Sequence, residues 1–232
     1  MNLLALDTST DQLSVAVQRA DGQRFAHTGA GGAQASATLI PAVQALLAQA
    51  GLSLSDLSAI AFGRGPGSFT GLRTACSVAQ GLAWGAGVPV LPIDTLLAVA
   101  EAARSAHGAT HVLALLDARM NEVYAAEYAW RDAAGWRPLS DIAVLAPEAV
   151  PTPGAGAVLA GNAFAAYADR LPAALQALPH IAALPSADAL LNLAPALLAA
   201  GAAVPAEQAL PLYIRDKVAQ TTAERSAAGL AR

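Results

Sequence analysis

The sequence predicts an α/β protein built from two similar halves, and three observations support this prediction. An apolar run that ends in aspartate and a polar turn occurs twice, at residues 3–10 and at residues 112–117. Alternating apolar and polar residues follow each run, as in a half-buried strand. Helical and strand-like segments then follow in both halves. We predict duplicated βββαβαβα halves, with an N-terminal lobe at residues 1–108 and an Ala/Pro-rich C-terminal lobe at residues 109–232.

The first half alternates strands and helices. Strands are expected at residues 3–6, 13–17, 24–27, 59–62 and 88–93. Helices are expected at residues 36–49, 70–85 and 94–108. Pro41 predicts an irregular first turn in the first helix, and Pro89 and Pro92 place the last strand near a sheet edge. Asp94 is the expected N-cap of the third helix, which ends at Gly108.

The second half repeats the pattern with weaker signals. Strands are expected at residues 112–116, 122–130, from 136 onward and at 158–161, and helices at 164–171 and 189–200. Alanine and proline dominate residues 146–211 and blur the periodicity there.

Composition argues against direct nucleic-acid binding and against a membrane protein. The net charge is −4, Lys217 is the only lysine, and no basic patch stands out. The charge-free stretch at residues 74–93 contains glycines and prolines that break a spanning helix. The first residues lack the basic region of a signal peptide, and the single cysteine, Cys76, excludes an internal disulfide. We therefore expect a cytoplasmic protein that does not bind a membrane and that meets any nucleic acid, tRNA or DNA, only indirectly, through a partner.

A glycine-rich turn at residues 63–73, GRGPGSFTGLR, joins a buried strand to a helix. Glycines that allow positive φ, followed by a Ser/Thr helix cap, form an anion cradle at a helix N-terminus. The loop has no Walker A lysine, and Thr70 stands where G-x-G-x-x-G needs its third glycine. We assign a degenerate nucleotide site, whose predicted residues are Asp7, Thr8, Ser9, Gly65, Gly67 and Ser68.

Two aspartates end equivalent strands, and two interpretations of them stay open. Asp7 and Asp117 could position a metal-bound phosphate or water, or could simply close a turn, which is the commoner role after a strand. His107 and His111 have the spacing of a helical metal pair, but Gly108 between them should end the helix, so no metal site is predicted. Cys76 lies within a helix as a small packed residue.

Two helices of the first half carry patterns that fit either core packing or a protein–protein face. One pattern is an apolar stripe and the other a ridge of small side chains that would let another backbone approach closely. The stripe comprises Leu39, Val43, Leu46 and Leu47, and the ridge comprises Gly71, Ala75, Ala79 and Ala83.

Several segments together resemble the bacterial TsaB (YeaZ) family. They are residues 7–9, the glycine-rich loop, DARMNEVY at residues 117–124 and PLYIR at residues 211–215. The resemblance covers nearly the whole chain and implies the two-lobed, ribonuclease H-like fold of actin, Hsp70 and sugar kinases. It also implies that the chain is a member of the glycoprotease-like family and acts with a catalytic paralogue, TsaD, and an ATPase, TsaE. Together these proteins form N6-threonylcarbamoyladenosine next to the tRNA anticodon.

The resemblance also assigns roles to segments of this chain. TsaD holds its metal through histidines at the start of the helix that corresponds to residues 94 onward, and residues 93–99 contain none. The chain is therefore expected to have no cofactor of its own, with ATP and metal on its partners. Family members pair through the two N-lobe helices, in a heterodimer with TsaD or a homodimer. The interface expected here comprises Leu39, Val43, Leu46, Gly71, Ala75, Ala79 and Ala83.

Two positions depart from the family pattern. Asn121 stands where the family has glycine, and asparagine tolerates the left-handed region better than other non-glycine residues. Gly161-Asn162-Ala163 replaces a G-x-G turn, which weakens any nucleotide site in the second half.

The sequence thus predicts a non-catalytic subunit that binds and activates a TsaD-like transferase by shifting it toward its competent state. A bulky charged residue at Ala79 should block that pairing while the lobe stays folded. The alternative is an ATPase or phosphotransferase that uses Asp7, Asp117 and the glycine-rich loop. A metalloprotease, suggested by the wider family's glycoprotease label, ranks last because no convincing metal ligands are present.

Overall fold

The computed structural model describes residues 1–132 and 134–215, which form two mixed β-sheets with helices around them. The first sheet has the strand order β3-β2-β1-β4-β5. Its strands are β1 (Leu3–Asp7), β2 (Gln12–Gln18), β3 (Arg24–Ala30), β4 (Ala59–Gly65) and β5 (Val90–Asp94). The antiparallel meander of β1, β2 and β3 continues into β4 and β5, which run parallel to β1.

The second sheet has the strand order β8-β7-β6-β10-β11, which matches the order of the first sheet position by position. The additional strand β9 also pairs with β7. Its strands are β6 (His111–Arg119), β7 (Glu122–Arg131), β8 (Gly135–Pro138), β9 (Ala143–Leu145), β10 (Val158–Gly161) and β11 (His180–Ala182). β10 and β11 run parallel to β6 in the way that β4 and β5 run parallel to β1. The predicted duplication is therefore present at the level of strand order.

Helices cover the sheets on both sides. They are α1 (Ala35–Ala50), α2 (Phe69–Ala86), α3 (Thr95–His107), α4 (Ala163–Tyr167), α5 (Ala173–Gln176) and α6 (Ala187–Ala199). α1 and α2 pack on one face of the first sheet, and α6 packs on β1 and β2 from the other. α3 contacts both α6 and strand β6, so it lies between the two halves. The lobe boundary near Gly108 stays a prediction, because α6 belongs to the second half in sequence and packs on the first.

The first half matches its predicted order, and its details follow from local sequence. Pro41 lies within α1, which begins after a short 3-10 turn at Gly32–Gln34, in line with the irregular start expected. α1 and α3 end at the predicted Gly51 and Gly108, both in the left-handed conformation. α2 ends at Ala86, one residue past its predicted end, with Gly87 as its C-cap. β5 is an edge strand, as its prolines predict, and Val90 forms an isolated antiparallel bridge with Val204.

The second half departs from the predicted βββαβαβα order at two points. A fourth antiparallel strand, β9, and a 3-10 turn at Pro147–Ala149 stand where the first helix was expected. The helix predicted at residues 164–171 is also wrong in length, because α4 stops at Tyr167 and a 3-10 turn continues to Arg170. The segment Leu171-Pro172 then leaves the helix in extended conformation, since the residue before proline disfavours the helical region. No helix in the described residues is both long and apolar enough to cross a membrane.

Candidate functional site

A cleft between the two halves contains a cavity of about 270 Å³. The first half contributes the turn after β1 and the start of α2, including Ser9 and Phe69. The second half contributes the hairpin between β6 and β7, including Asp117 and Met120. A third side is formed by residues 212–215, near the end of the described chain. The cleft is therefore bounded by both halves and by a segment that sequence patterns did not place there.

Asp7 and Asp117 make the same turn in their respective halves. The Asp7 carboxylate accepts hydrogen bonds from the amide and the hydroxyl of Ser9, at 2.9 and 2.6 Å. The Asp117 carboxylate accepts one from the amide of Arg119 at 2.7 Å. An aspartate that accepts from the amide two residues later closes an Asx turn. In this conformation, the turn interpretation accounts for both carboxylates.

The two aspartates differ sharply in their surroundings. Burial raises the pKa of Asp7, against the opposing effect of the hydrogen bonds from Ser9, and its Oδ2 has no hydrogen-bond partner among the described atoms. This oxygen lies against Gly63, where a Cβ would overlap it. Asp117 is less enclosed and accepts a further hydrogen bond, at 2.8 Å, from the Tyr167 hydroxyl. Of the two side chains, that of Asp117 lines the cavity, whereas Asp7 is enclosed behind it.

The glycine-rich loop packs against the chain's own β1 turn. The amide of Ser68 donates to the carbonyl of Ser9 at 2.7 Å, and the Thr8 hydroxyl donates to the carbonyl of Gly71 at 2.7 Å. A Cβ at Gly67 would lie 2.5 Å from the Ser9 carbonyl oxygen, so the backbones can approach only because that residue is glycine. In this conformation, one amide of the anion cradle expected from the sequence, that of Ser68, is engaged by a backbone carbonyl of the same chain.

Ser68 also differs from its predicted role as a capping side chain. It occupies the N-cap position of α2, but its side chain makes no capping hydrogen bond. Its amide is turned instead toward Ser9, on the opposite side of the turn. Asp94 is likewise the N-cap residue of α3 without a side-chain cap, because its carboxylate pairs with Arg64 at 2.6 Å.

The C-terminal segment at residues 209–215, here called the strap, lies along the glycine-rich loop. The amide of Leu212 donates to the carbonyl of Arg64 at 2.7 Å. A Cβ at Gly65 would lie 2.5 Å from the Leu212 carbonyl oxygen. Gly65 also has a φ of +126°, which glycine adopts readily and other residues rarely adopt. Tyr213 accepts a hydrogen bond from Arg73 at 3.1 Å and packs on Phe69, with ring centroids 5.4 Å apart.

The strap ends at the hairpin of the other half. Arg215 donates hydrogen bonds to the carbonyl of Ala118, at 3.2 Å, and to the carboxylate of Glu122, with which it forms an ion pair. It also donates to the sulfur of Met120 at 3.3 Å. The single segment therefore has contacts on both sides of the cleft. The sequence signal for it was the family-like PLYIR motif alone, which carries no information on where it docks.

The hairpin that receives Arg215 has unusual backbone geometry. Arg119, Met120 and Asn121 have φ values of 60°, 53° and 64°, a region that costs free energy for residues other than glycine. The left-handed turn expected at Asn121 is confirmed. The Asn121 side chain accepts a hydrogen bond from Arg170 at 3.1 Å, and Arg119 pairs with Asp11 across the cleft at 2.6 Å. Contacts from several directions thus hold the turn in place.

The structure brings the six residues of the predicted nucleotide site together, but as a packed cluster. Asp7, Thr8 and Ser9 are 1%, 0% and 2% exposed. Of the six, only Ser9, Gly67 and Ser68 line the cavity. In the second half, Asn162 accepts a hydrogen bond from the amide of Asp117 at 2.9 Å, so the altered Gly161-Asn162-Ala163 turn also serves internal contacts. Nucleotide binding by this cluster stays a prediction, and this conformation offers little room for it.

The predicted interface residues require a correction, because their side chains face the core. Leu39, Val43, Ala75, Ala79 and Ala83 are each at most 1% exposed, Leu46 is 3% exposed and Gly71 is buried. They pack against the sheet, where an apolar stripe or ridge normally lies. A charged residue at Ala79 would therefore disrupt the fold before it disrupted any pairing. Any contact made by α1 and α2 must use their opposite, exposed sides.

The remaining candidates have internal roles. His107 ends α3 and His111 begins β6, so they share no helical face, and His111 contacts Glu127 at 2.6 Å. Cys76 is buried and its thiol donates to the carbonyl of Ala209 at 3.3 Å. Within residues 1–132 and 134–215 no group of three or more His, Cys, Asp or Glu side chains could hold a metal ion. The absence of a metal from the protein stays a prediction.

Two halves with the same strand order around a common cleft define the actin-like, ribonuclease H-like class of α/β proteins, here with a cleft narrowed by the chain itself. A family model described as "TsaD: tRNA N6-adenosine threonylcarbamoyltransferase" matches residues 26–223. The chain is 39% identical to the tRNA threonylcarbamoyladenosine biosynthesis protein TsaB of Escherichia coli, over 94% of this chain and 96% of that protein. The chain belongs to the TsaB (YeaZ) family.

Other similar proteins agree with this assignment. The TsaB protein of Haemophilus influenzae is 48% identical over 53% of this chain and 52% of its own length. The solved structure of YeaZ from Pseudomonas aeruginosa is 42% identical, with a TM-score of 0.84, and the match covers 91% of this chain and 99% of that one. A second structure from the same organism, described as an uncharacterized protein with similarity to peptidase YeaZ, is also 42% identical with a TM-score of 0.85, over 92% and 99% of the two chains.

Proposed function

We propose that this protein is a non-catalytic partner subunit that binds and activates a TsaD-like transferase during formation of N6-threonylcarbamoyladenosine in tRNA. The names of its relatives support the pathway. The observation that carries the non-catalytic role is the hydrogen bond from the Ser68 amide to the Ser9 carbonyl, because it engages one of the amide donors that a helix N-terminus would offer to a phosphate. The close approach of Ser9 to Gly67 and of Leu212 to Gly65 leaves less space along the loop for a phosphate, which supports a role without nucleotide chemistry.

The start of α3 supports the same proposal. In the transferase paralogue the resemblance implies metal-binding histidines there, whereas this chain begins α3 with Thr95, Leu96 and Leu97. Thr95 and Leu96 are fully buried. This end of the helix therefore serves packing. We assign the metal and ATP to the partner proteins, which are the TsaD-like transferase and a TsaE-like ATPase.

The exposed sides of α1 and α2 form the docking face in this proposal. α1 has no charged residue, and Arg73 is the one charged residue of α2. Ile40 and Trp84 are 42% and 70% exposed, which leaves apolar surface in solvent. Both helices lie on the same side of the first sheet, so their exposed sides form one surface. An uncharged surface of this kind suits a helical partner face, and it also suits a homodimer of this chain.

Two exposed glycines within α2 strengthen this choice. Gly81 and Gly85 lie in the second half of the helix, and a Cβ at either would meet nothing within 4 Å. Glycine inside a helix costs about 1 kcal/mol relative to alanine. No contact within the described chain requires glycine at these positions. A close-packed partner backbone would require it.

Charge assigns the tRNA contact mainly to the partner. The chain has a net charge of −4, and several of its arginines are paired with carboxylates, including Arg64 with Asp94 and Arg170 with Glu148. A surface that releases few counterions from phosphates binds nucleic acid weakly. Docking of this subunit instead shifts the transferase toward its active arrangement, which raises the fraction of competent enzyme.

Reconstitution tests the proposal. TsaD-like and TsaE-like proteins, threonylcarbamoyl-adenylate, ATP and unmodified tRNA are incubated with and without this chain, and the modified nucleoside is quantified by mass spectrometry. We expect modification to depend on the chain, while the chain alone neither hydrolyses ATP nor modifies tRNA. Equal modification in both mixtures would contradict an activating role.

The cavity lined by Ser9, Ser68 and Asp117 supports a second candidate, an ATPase or phosphotransferase. This candidate requires ATP turnover by the purified chain, and that turnover should disappear in Asp7→Asn. The first candidate requires neither. An ATP turnover assay on the chain alone therefore separates the two functions without any partner.

A further inference from the structure

The strap at residues 209–215 contacts both halves of the protein. On the first half, the Leu212 amide donates to the Arg64 carbonyl at 2.7 Å, and Tyr213 packs on Phe69. On the second half, Arg215 donates to the Ala118 carbonyl and pairs with Glu122. These contacts join the glycine-rich loop to the hairpin between β6 and β7, which are far apart in sequence. The strap follows a 3-10 turn at Ala206–Gln208 and has no regular secondary structure of its own.

The two ends of the strap are held by different chemistry. The Tyr213 end is held by ring packing, a hydrogen bond from Arg73, and the guanidinium of Arg73 lying 3.9 Å from the centre of the Phe69 ring. The Arg215 end is held by charge, since its side chain is 15% exposed and pairs with a carboxylate that is 39% exposed. A partly buried ion pair with added hydrogen bonds is stronger than a surface pair. The side-chain contacts at each end can therefore be weakened by a single substitution.

The hairpin at the Arg215 end stores backbone strain. Three consecutive residues, Arg119, Met120 and Asn121, have positive φ, and such geometry persists where surrounding contacts determine it. Arg215 supplies two of these contacts, to the carbonyl of Ala118 and to the sulfur of Met120. Loss of the Arg215 contacts would let the hairpin relax away from the cleft.

From these contacts we infer that the strap is a latch that closes the cleft between the halves. Its release is the step by which the cleft opens, because its two ends hold the two walls. This inference does not depend on the proposed function. It requires the two ends to be coupled, so that freeing one end exposes the other.

Hydrogen exchange measured by mass spectrometry on the full chain tests that coupling. Arg215→Ala removes the second-half contacts alone. We expect the backbone amides of residues 64–72, on the opposite wall, to exchange roughly tenfold faster, since the loss of charged hydrogen bonds at one end should favour local opening at the other. Phe69→Ala should in turn speed exchange at residues 117–122. The inference would be overturned if exchange became faster only at residues 117–122 in Arg215→Ala and only at residues 64–72 in Phe69→Ala.

Matched controls keep the test specific. Leu210→Ala alters the same segment at a side chain that is 69% exposed, and it should change exchange in neither wall. Arg215→Lys retains a positive charge for Glu122 and should restore most of the protection at residues 64–72. If Arg215→Ala unfolds the whole chain, all peptides exchange together, and Glu122→Gln then provides the weaker release that still predicts coupling. Faster exchange in Glu122→Gln that stays confined to residues 117–122 would also overturn the inference.

Discussion

Asp7 and Asp117 lie at equivalent places in the two halves, and each accepts a hydrogen bond from the backbone amide two residues later, at 2.9 and 2.7 Å. The shared turn shows that the duplication reaches individual side chains. Only Asp7 is fully enclosed, however, and its Oδ2 lacks a partner among the described atoms. The same turn therefore has different electrostatics in each half.

We predict that Asp7→Asn stabilises the protein increasingly as pH rises. Burial raises the pKa of Asp7 above its ordinary value of 3.8. At a pH below that value the carboxyl is protonated in both states and contributes nothing. As pH rises, the unfolded state ionises first, so folding is progressively penalised until the folded carboxyl also ionises. Asparagine removes this penalty and keeps the acceptor for Ser9.

The measurement is the free energy of urea unfolding from about pH 4 to pH 8. The variant's advantage should be larger at the alkaline end of this range than at the acid end. A constant difference would mean that Asp7 is not the titrating group. In the reconstituted reaction the variant should stay fully active, since the proposed role uses no carboxylate at this position.

Much of the fold was predictable because local signals and tertiary packing agree in the first half. Gly51 and Gly108 end their helices where predicted, and the twice-repeated apolar strand with its aspartate indicated the duplication. The second half was harder, because its alanine-rich stretches lack a clear apolar period. The position of the strap was not predictable, since it docks through a backbone hydrogen bond from Leu212 and through side chains whose partners lie far away in sequence.

The candidate site was likewise predictable from the sequence in part only. The residues of the glycine-rich loop and the β1 turn were found correctly as neighbours. That Ser9 and Thr8 fill the loop could not be seen, because a glycine that admits a phosphate and a glycine that admits a carbonyl look the same in sequence. The apolar faces of α1 and α2 were assigned to an interface on resemblance, whereas burial assigns them to the core.

A second prediction concerns Glu101, a carboxylate that is 1% exposed at the junction of α3, α6 and β8. It accepts hydrogen bonds from Arg104, Trp136 and Asn192, at 2.8–3.1 Å. Glu101→Ala would remove the buried acceptor that these partly exposed donors share and should cost about 2 kcal/mol of unfolding free energy. Urea unfolding at neutral pH measures it, with Glu207→Ala at an exposed position as the control.

The Glu101 contribution should also depend on pH in a defined direction. Burial alone would raise the pKa of Glu101, but hydrogen bonds from Arg104, Trp136 and Ser105 outweigh it and lower the pKa below 4.5. A lowered folded pKa stabilises the protein above the unfolded value and loses this effect as pH falls through the folded value. The gap between wild type and Glu101→Gln should therefore narrow below about pH 4. A gap that widens in acid would contradict the assignment.

A third prediction concerns the strained hairpin. Asn121 has a φ of 64°, which alanine adopts at a cost of about 1 kcal/mol and glycine adopts freely. We expect Asn121→Ala to lower the unfolding free energy by about that amount and Asn121→Gly to leave it nearly unchanged, despite the lost hydrogen bond to Arg170. Thermal unfolding of the wild type, Asn121→Ala and Asn121→Gly measures these differences in stability. Equal stability of the alanine and glycine variants would show that the turn relaxes without cost.

A fourth prediction separates stability from docking at Gly81. Because a Cβ there meets nothing within 4 Å, Gly81→Ala should stabilise α2 by about 1 kcal/mol. If a partner backbone packs closely on this position, the same variant should bind the TsaD-like protein more weakly, as measured by calorimetry. Gly85→Ala serves as the second site on the same face. Gain of stability without loss of binding would remove the glycines from the docking face.

The last prediction tests the docking face with three alanine-to-glutamate changes in three different environments. Ala45 lies exposed on α1 and Ala196 lies exposed on α6, whereas Ala79 is fully buried on α2. A new carboxylate at Ala45 would have to be desolvated in the pairing interface, where it has no cationic partner on its own helix. We expect Ala45→Glu to abolish binding to the TsaD-like protein while its melting temperature stays near that of wild type.

The two other variants bracket this result. Ala196→Glu should bind normally, since α6 packs on the other face of the first sheet. Ala79→Glu should lose binding only because it unfolds, as a charge buried without a partner costs several kcal/mol. Binding by calorimetry, with circular dichroism on each variant, distinguishes these outcomes. If Ala45→Glu binds as well as Ala196→Glu, the uncharged face of α1 is not the docking surface. Activation of the transferase must then come from another part of the molecule, for which the cleft mouth around Phe69 and Tyr213 is the next exposed apolar surface.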